Sequence, residues 1–107
     1  MRPRGGMHHL GTLRGSGTLM CAGVAMGAAD FEIDGFSTKP GEVVGSGEIR
    51  MSPADLSQAF GRQGLVLQTA DGLVLEVRFS GKRHAATDGA AHIDIVAGLP
   101  DPDSWRR

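Results

Sequence analysis

The chain has 107 residues, 40% of them apolar, with 11 basic and 12 acidic side chains and a net charge of −1. That length fits one domain with a modest core, and the near-neutral balance excludes a global attraction to nucleic acid or an anionic membrane. The single cysteine, Cys21, excludes an internal disulfide and with it a disulfide-stapled secreted scaffold.

Residues 1–8 read as a flexible leader, 9–100 as one β domain and 101–107 as a C-terminal tail. Arg2, Arg4 and Arg14 precede an apolar stretch at 19–29, the outline of a weak signal peptide. Gly23 and Gly27 break that stretch and it runs into a strand pattern, so a cytoplasmic protein is the expectation. No apolar run is long enough to span a bilayer. Abundant Arg, Ala and Gly with no Asn suggest a GC-rich bacterial genome. With four Phe, one Trp and no Tyr, the core must come from Val, Leu, Ile, Met and Ala.

At 9–19, Leu10, Thr12 and Arg14 alternate with smaller residues, among them Gly11, Gly15 and Gly17, which predicts a first strand. Residues 21–23 can turn. A second strand follows at 24–36, with Ala29, Phe31 and Ile33 on one face and Asp30, Glu32 and Asp34 on the other. That alternation predicts a sheet with one solvated side. Residues 35–41, with Pro40, read as a loop. At 41–51, Val43, Gly45, Gly47, Ile49 and Met51 share the inward face of a third strand. Its two glycines permit sharp coiling or the close approach of a packed element.

The one helix signal is 52–61. Ser52 suits the N-cap, Pro53 the first helical position and Asp55 the first turn. Leu56, Ala59 and Phe60 form its apolar stripe, and Gly61 can end it. Two turns of helix need packing on a sheet to persist. Residues 65–69 and 73–79 predict a hairpin around Ala70-Asp71-Gly72. Residues 80–89 read as a polar, mobile loop. The last strand is 91–97, with Ile93 and Ile95 inward and His92 and Asp94 outward. The order predicts a mainly-β fold: a six-stranded antiparallel barrel or a strongly curved sheet, with one short helix between strands 3 and 4. A two-sheet sandwich is the alternative.

Each polar cluster has a competing, non-functional reading. His8 and His9 are soft ligands, but adjacent strand residues face opposite sides and match no Cys/His metal spacing. Cys21 sits among Leu19, Met20, Ala22 and Val24, which disfavour a thiolate. Asp30, Glu32 and Asp34, with Glu42 and Glu48 facing them, lack the tight loop of a calcium site and read as a solvated face. His92 with Asp94 or Glu76 would make an acid–base pair on an open face that gives little desolvation. Arg78, Lys82, Arg83 and His84 are the candidate ligand- or anion-binding residues, although no aromatic platform adjoins them to stack bases. Trp105 either docks back on the domain or contacts a partner.

No residue set pairs a nucleophile with a base, cradles a phosphate or ligates a metal at a known spacing. The expectation is a non-catalytic soluble interaction or structural domain. Its expected partner is a second copy or another protein, with no cofactor, no specific nucleic acid and no membrane. Outward Val74 and Val96, with Met20 or Met26, form an exposed apolar patch whose natural use is a homodimer. The alternative is a small-molecule- or metal-binding β-barrel, with room left by the glycine-rich inner faces and a ligand held at the mouth.

Overall fold

A computed structural model of the chain describes residues 8–39, 42–80 and 89–105. The fold is mainly β, as the alternation predicts. Its strands are β1 (His8–Cys21), β2 (Val24–Lys39), β3 (Glu42–Arg50), β4 (Leu65–Thr69), β5 (Val74–Phe79) and β6 (Ala90–Ala97). One short helix, α1 (Pro53–Ala59), lies between β3 and β4. Every pairing is antiparallel, and the order β1-β2-β3-β6-β5-β4 forms a ring that closes where β4 returns to β1.

The β1–β2 hairpin is longer than the sequence suggests. Its turn has two residues, Ala22 at φ +51 and Gly23 at φ +83, the backbone signature of a type I′ turn. Of the loop expected at 35–41, residues 35–39 are instead strand, because Gly35 pairs with Gly45, Phe36 with Val44 and Ser37 with Val43; positions 40 and 41 lie outside the described residues. Gly35 is not a breaker here, since its neighbours on β3 continue the ladder. Closure by β4 covers only residues 17–21 of β1, so the hairpin runs on past the ring.

Alternation sends one set of side chains inward. Leu19, Ile33, Ile49, Leu65, Leu67, Leu75 and Ile93 are fully buried or nearly so, joined by Leu56 of α1. Each such burial contributes about 1.5–3 kcal/mol. Narrow closure demands backbone contact, and Gly47 and Gly17 permit it. A Cβ on Gly47 would strike the Glu32 carbonyl oxygen and sit 2.8 Å from Ile33 Cα. A Cβ on Gly17 would strike the Gln68 carbonyl oxygen and sit 2.9 Å from Thr69 Cα.

The helix plugs one end. Ser52 caps it by accepting from the Asp55 amide at 3.2 Å, as its sequence position implies. Leu56 and Ala59 face the core, and Phe60 stacks on Phe79 with ring centroids 4.9 Å apart. The C-terminal segment covers the other end. Residues Pro102–Ser104 form a 3-10 turn, Trp105 lies against Gly35, and Leu99 lies against Gly45. Trp105 Nε1 donates to the Pro100 carbonyl at 3.0 Å within this segment, and the half-buried indole rests on Gly35 of β2.

The β4–β5 turn is tied by Thr69, the one buried polar residue among those described. Its hydroxyl donates to the Asp71 carboxylate at 2.5 Å and accepts from the Leu73 amide at 2.9 Å.

Replacing Gly47 by Ala forces backbone movement between β2 and β3. The expected loss is about 1–3 kcal/mol in urea unfolding. Ala22→Gly has the opposite sign, because an L side chain in the left-handed region costs about 1–2 kcal/mol; the midpoint is expected to rise with an unchanged slope.

Candidate functional site

The outer face is built from rows that cross the strands. One row reads Arg14, Glu32, Glu48, His92, because these residues are cross-strand partners. Glu32 and Glu48 stand directly opposite each other, a repulsive pairing. Arginines on both sides offset it: Arg14 reaches Glu32 at 2.9 Å and Arg50 reaches Glu48 at 3.0 Å. The next row reads Thr12, Asp34, Ser46, Asp94, Arg78. Thr12 donates to Asp34 at 2.6 Å, and His9 Nε2 lies 3.2 Å from the same carboxylate oxygen. The Thr12 hydrogen bond and then the His9 hydrogen bond hold the Asp34 carboxyl below its ordinary range. Glu42 is held by Thr38 at 2.7 Å. Glu32, Asp34, Glu42 and Glu48 therefore sit in pairs with donors, and among the described residues no three His, Cys, Asp or Glu side chains converge as metal ligands.

Of the candidate anion-binding residues, Arg78 lies on the outer face of β5 with its Nε 4.0 Å from Asp94. Lys82, Arg83 and His84 lie outside the described residues. His92 does not pair with Asp94 or Glu76. Asp94 faces Arg78, and Glu76 lies opposite Ala97. The partner of His92 is Ser80, whose hydroxyl shares a 2.5 Å hydrogen bond with His92 Nδ1. A hydroxyl beside an imidazole is a nucleophile–base geometry. Both residues are exposed, so solvent has free access to the pair. The backbone bond from Ser80 to His92 at 3.1 Å gives the contact a plainer role, tethering the end of β5 to β6.

Two features remain on the surface. The first is apolar and lies toward the Trp105 end. Phe36 pairs with Val44 on the outer face, and Val44 and Val96 each lie one step beyond the Gly45–Ile95 pair. Val96 is 58% exposed, and Val74 on neighbouring β5 is 57% exposed. His9 stacks on Phe36 at 5.2 Å and marks the edge of this row. The outward placement of Val74 and Val96 is legible from alternation. Phe36 and Val44 also fall outward by alternation within strands 24–36 and 41–51, but only the ladder sets them side by side.

The second is a groove of about 580 Å³ between α1 and the β1–β2 turn. Ala22, Val24, Ala25 and Met26 line it from the hairpin, and Asp55, Gln58 and Arg62 from the helix side. Sequence gives no sign of it, because it joins segments some 30 residues apart. Cys21 also borders this groove as a free thiol, with its Sγ 3.5 Å from the Gln63 carbonyl oxygen. Among the described residues no helix is long and apolar enough to cross a membrane.

No family model, curated protein or solved structure matches this chain.

The Asp34 pairing sets an acid limit. A carboxyl held low in the folded state contributes stability that is present above its unfolded pKa of about 3.9 and is lost as pH falls through the lower folded value. Unfolding free energy is expected to decline on acidification below about pH 4. In Asp34→Asn that decline becomes shallower, which denaturant titrations between pH 2 and pH 6 would read; an unchanged slope would remove Asp34 as a contributor.

Proposed function

We propose that this chain is a non-catalytic, soluble interaction domain that works as a homodimer through its outer apolar row. The observation that carries the reading is the outward exposure of Val96 and Val74 on neighbouring β6 and β5, with the half-exposed outward pair Phe36–Val44 on β2 and β3 toward the same end. Contiguous exposed apolar surface on a small domain marks an interaction site more often than isolated residues do. The polar row beside it, with Asp34, Asp94 and Arg78, provides the mixed-sign rim found around apolar interface centres.

A second copy suits this surface. A two-fold dimer places the same patch on both sides, so apolar rows meet apolar rows without a separate partner sequence. A net charge of −1 gives little long-range repulsion between copies. The filled inner faces support the same reading. Gly35 and Gly45, which a ligand-binding barrel would leave open, are covered by Trp105 and Leu99. The free thiol fits a reducing, cytoplasmic compartment, and the composition fits a bacterial source.

Light scattering on size-separated protein is the test. The expected mass is twice the 11.2 kDa of the chain at high concentration, falling toward one chain on dilution. Val96→Asp with Val74→Asp should give a monomer with an unchanged far-UV spectrum, since both residues are exposed. A wild-type monomer at every concentration would sink the proposal.

A further inference from the structure

We propose that the open edge of β1 at residues 12–16 receives an extended segment of another protein as an added antiparallel strand, with an acidic residue opposite Arg14 and an apolar residue on either side of that acid. The edge lies apart from the outer apolar row, and the proposal does not rest on self-association.

The edge is open because ring closure stops short of it. β4 pairs with β1 only over residues 17–21, and the last backbone contact on that side runs from the Ala70 amide to the Ser16 carbonyl at 2.8 Å. Among the described residues no other strand lies on that side of β1. Arg14, Gly15 and Ser16 are exposed.

The Ser16 carbonyl shows which backbone groups face the opening. Strand residues two apart point their N–H and C=O the same way. Arg14 and Thr12 therefore present both groups to the open side, while Leu13 and Gly15 turn theirs to β2. The register shift between His9 and Gly11 ends the regular run. Such a row of backbone donors and acceptors is complementary to the backbone of another extended chain. A partner strand needs about four residues to face 12–15.

The side chains set the sequence of that strand. On the outer face, Arg14 gives Nη2 to Glu32 at 2.9 Å and its side chain stays 67% exposed. Its remaining donors can take a second carboxylate from a directly opposite residue. On the inner face, Gly15 leaves the Phe31 ring without a neighbouring side chain on β1, the ring Cζ lying 3.5 Å from where a Cβ would stand. Leu13 is half-buried against the core. A strand running from Gly15 toward Thr12 thus places an apolar residue beside Phe31, an acid at Arg14 and an apolar residue beside Leu13. The β1 edge of a second copy does not meet this need, because residues 8–16 contain no Asp or Glu.

The test is amide exchange of the full chain by NMR with the peptide acetyl-Ser-Val-Glu-Val-Thr-Gly-amide. At about 2 mM peptide the Arg14 and Thr12 amides are expected to exchange about tenfold more slowly, as half-saturation near about 0.2 mM implies. N-methylation of the peptide's Glu removes the donor to the Arg14 carbonyl and should abolish the slowing. The peptide with Gln in place of Glu should bind about threefold more weakly, as loss of one exposed ion pair implies. In Arg14→Gln the two peptides should bind equally. No slowing at about 10 mM peptide would overturn the proposal. Equal slowing by the N-methylated peptide would also overturn it, since contact without strand pairing would then suffice. Equal binding of the Glu and Gln peptides to the wild type would overturn the acidic partner. Arg14 and Thr12 amides that are already slow in the free protein and quicken on dilution would overturn the proposal in favour of a second copy.

Discussion

Ring closure depends on the absence of two side chains. Six strands can close around an aliphatic core only if the sheet coils tightly, and tight coiling brings backbone onto backbone. Gly17 lets β4 cross β1, and Gly47 lets β3 lie against β2; in each case a Cβ would meet a carbonyl oxygen and an adjacent Cα. The scarcity of aromatic residues follows the same geometry. The interior is filled mainly by Leu19, Ile33, Ile49, Leu67, Leu75 and Ile93, with Phe31 as its one buried ring among the described residues; other rings work at the ends, Phe60 on Phe79 beside α1 and Trp105 over Gly35.

A filled interior moves any binding chemistry to the surface. There the charged residues of β1, β2 and β3 largely serve one another, and the like-charged Glu32 and Glu48 are tolerable only because Arg14 and Arg50 stand beside them. Exposed ion pairs of this kind contribute at most about 1 kcal/mol each. Their larger effect is on specificity: they keep most of the outer sheet polar and leave two surfaces with unmet potential. One is the apolar row around Val96. The other is the edge of β1 at residues 12–16, which has no strand beside it on the side away from β2 among the described residues.

The local pattern of the fold was legible where a period of two ran without interruption. Ala29, Phe31 and Ile33 face inward and Asp30, Glu32 and Asp34 outward, as alternation requires. The helix was legible from Ser52, Pro53 and Leu56, since capping and an apolar stripe act over a few residues. Residues 37–39 were read only as loop because glycine beside a proline-containing segment looks like one, whereas pairing with β3 keeps the strand extended. The proposed sites were only half legible. Val74 and Val96 declare themselves by outward position, but Phe36 and Val44 join them only through the ladder.

The sequence by itself determined which residues alternate, where the helix begins and that no disulfide staples the chain. These are consequences of backbone periodicity and residue chemistry within short windows. Only the tertiary structure decided the rest: that β4 returns to β1, that Trp105 covers Gly35, and that Ala22 and Val24 stand across a groove from Asp55 and Arg62. Those contacts join residues from about 30 to 70 positions apart, and their energy comes from burial and close approach, which no local pattern records.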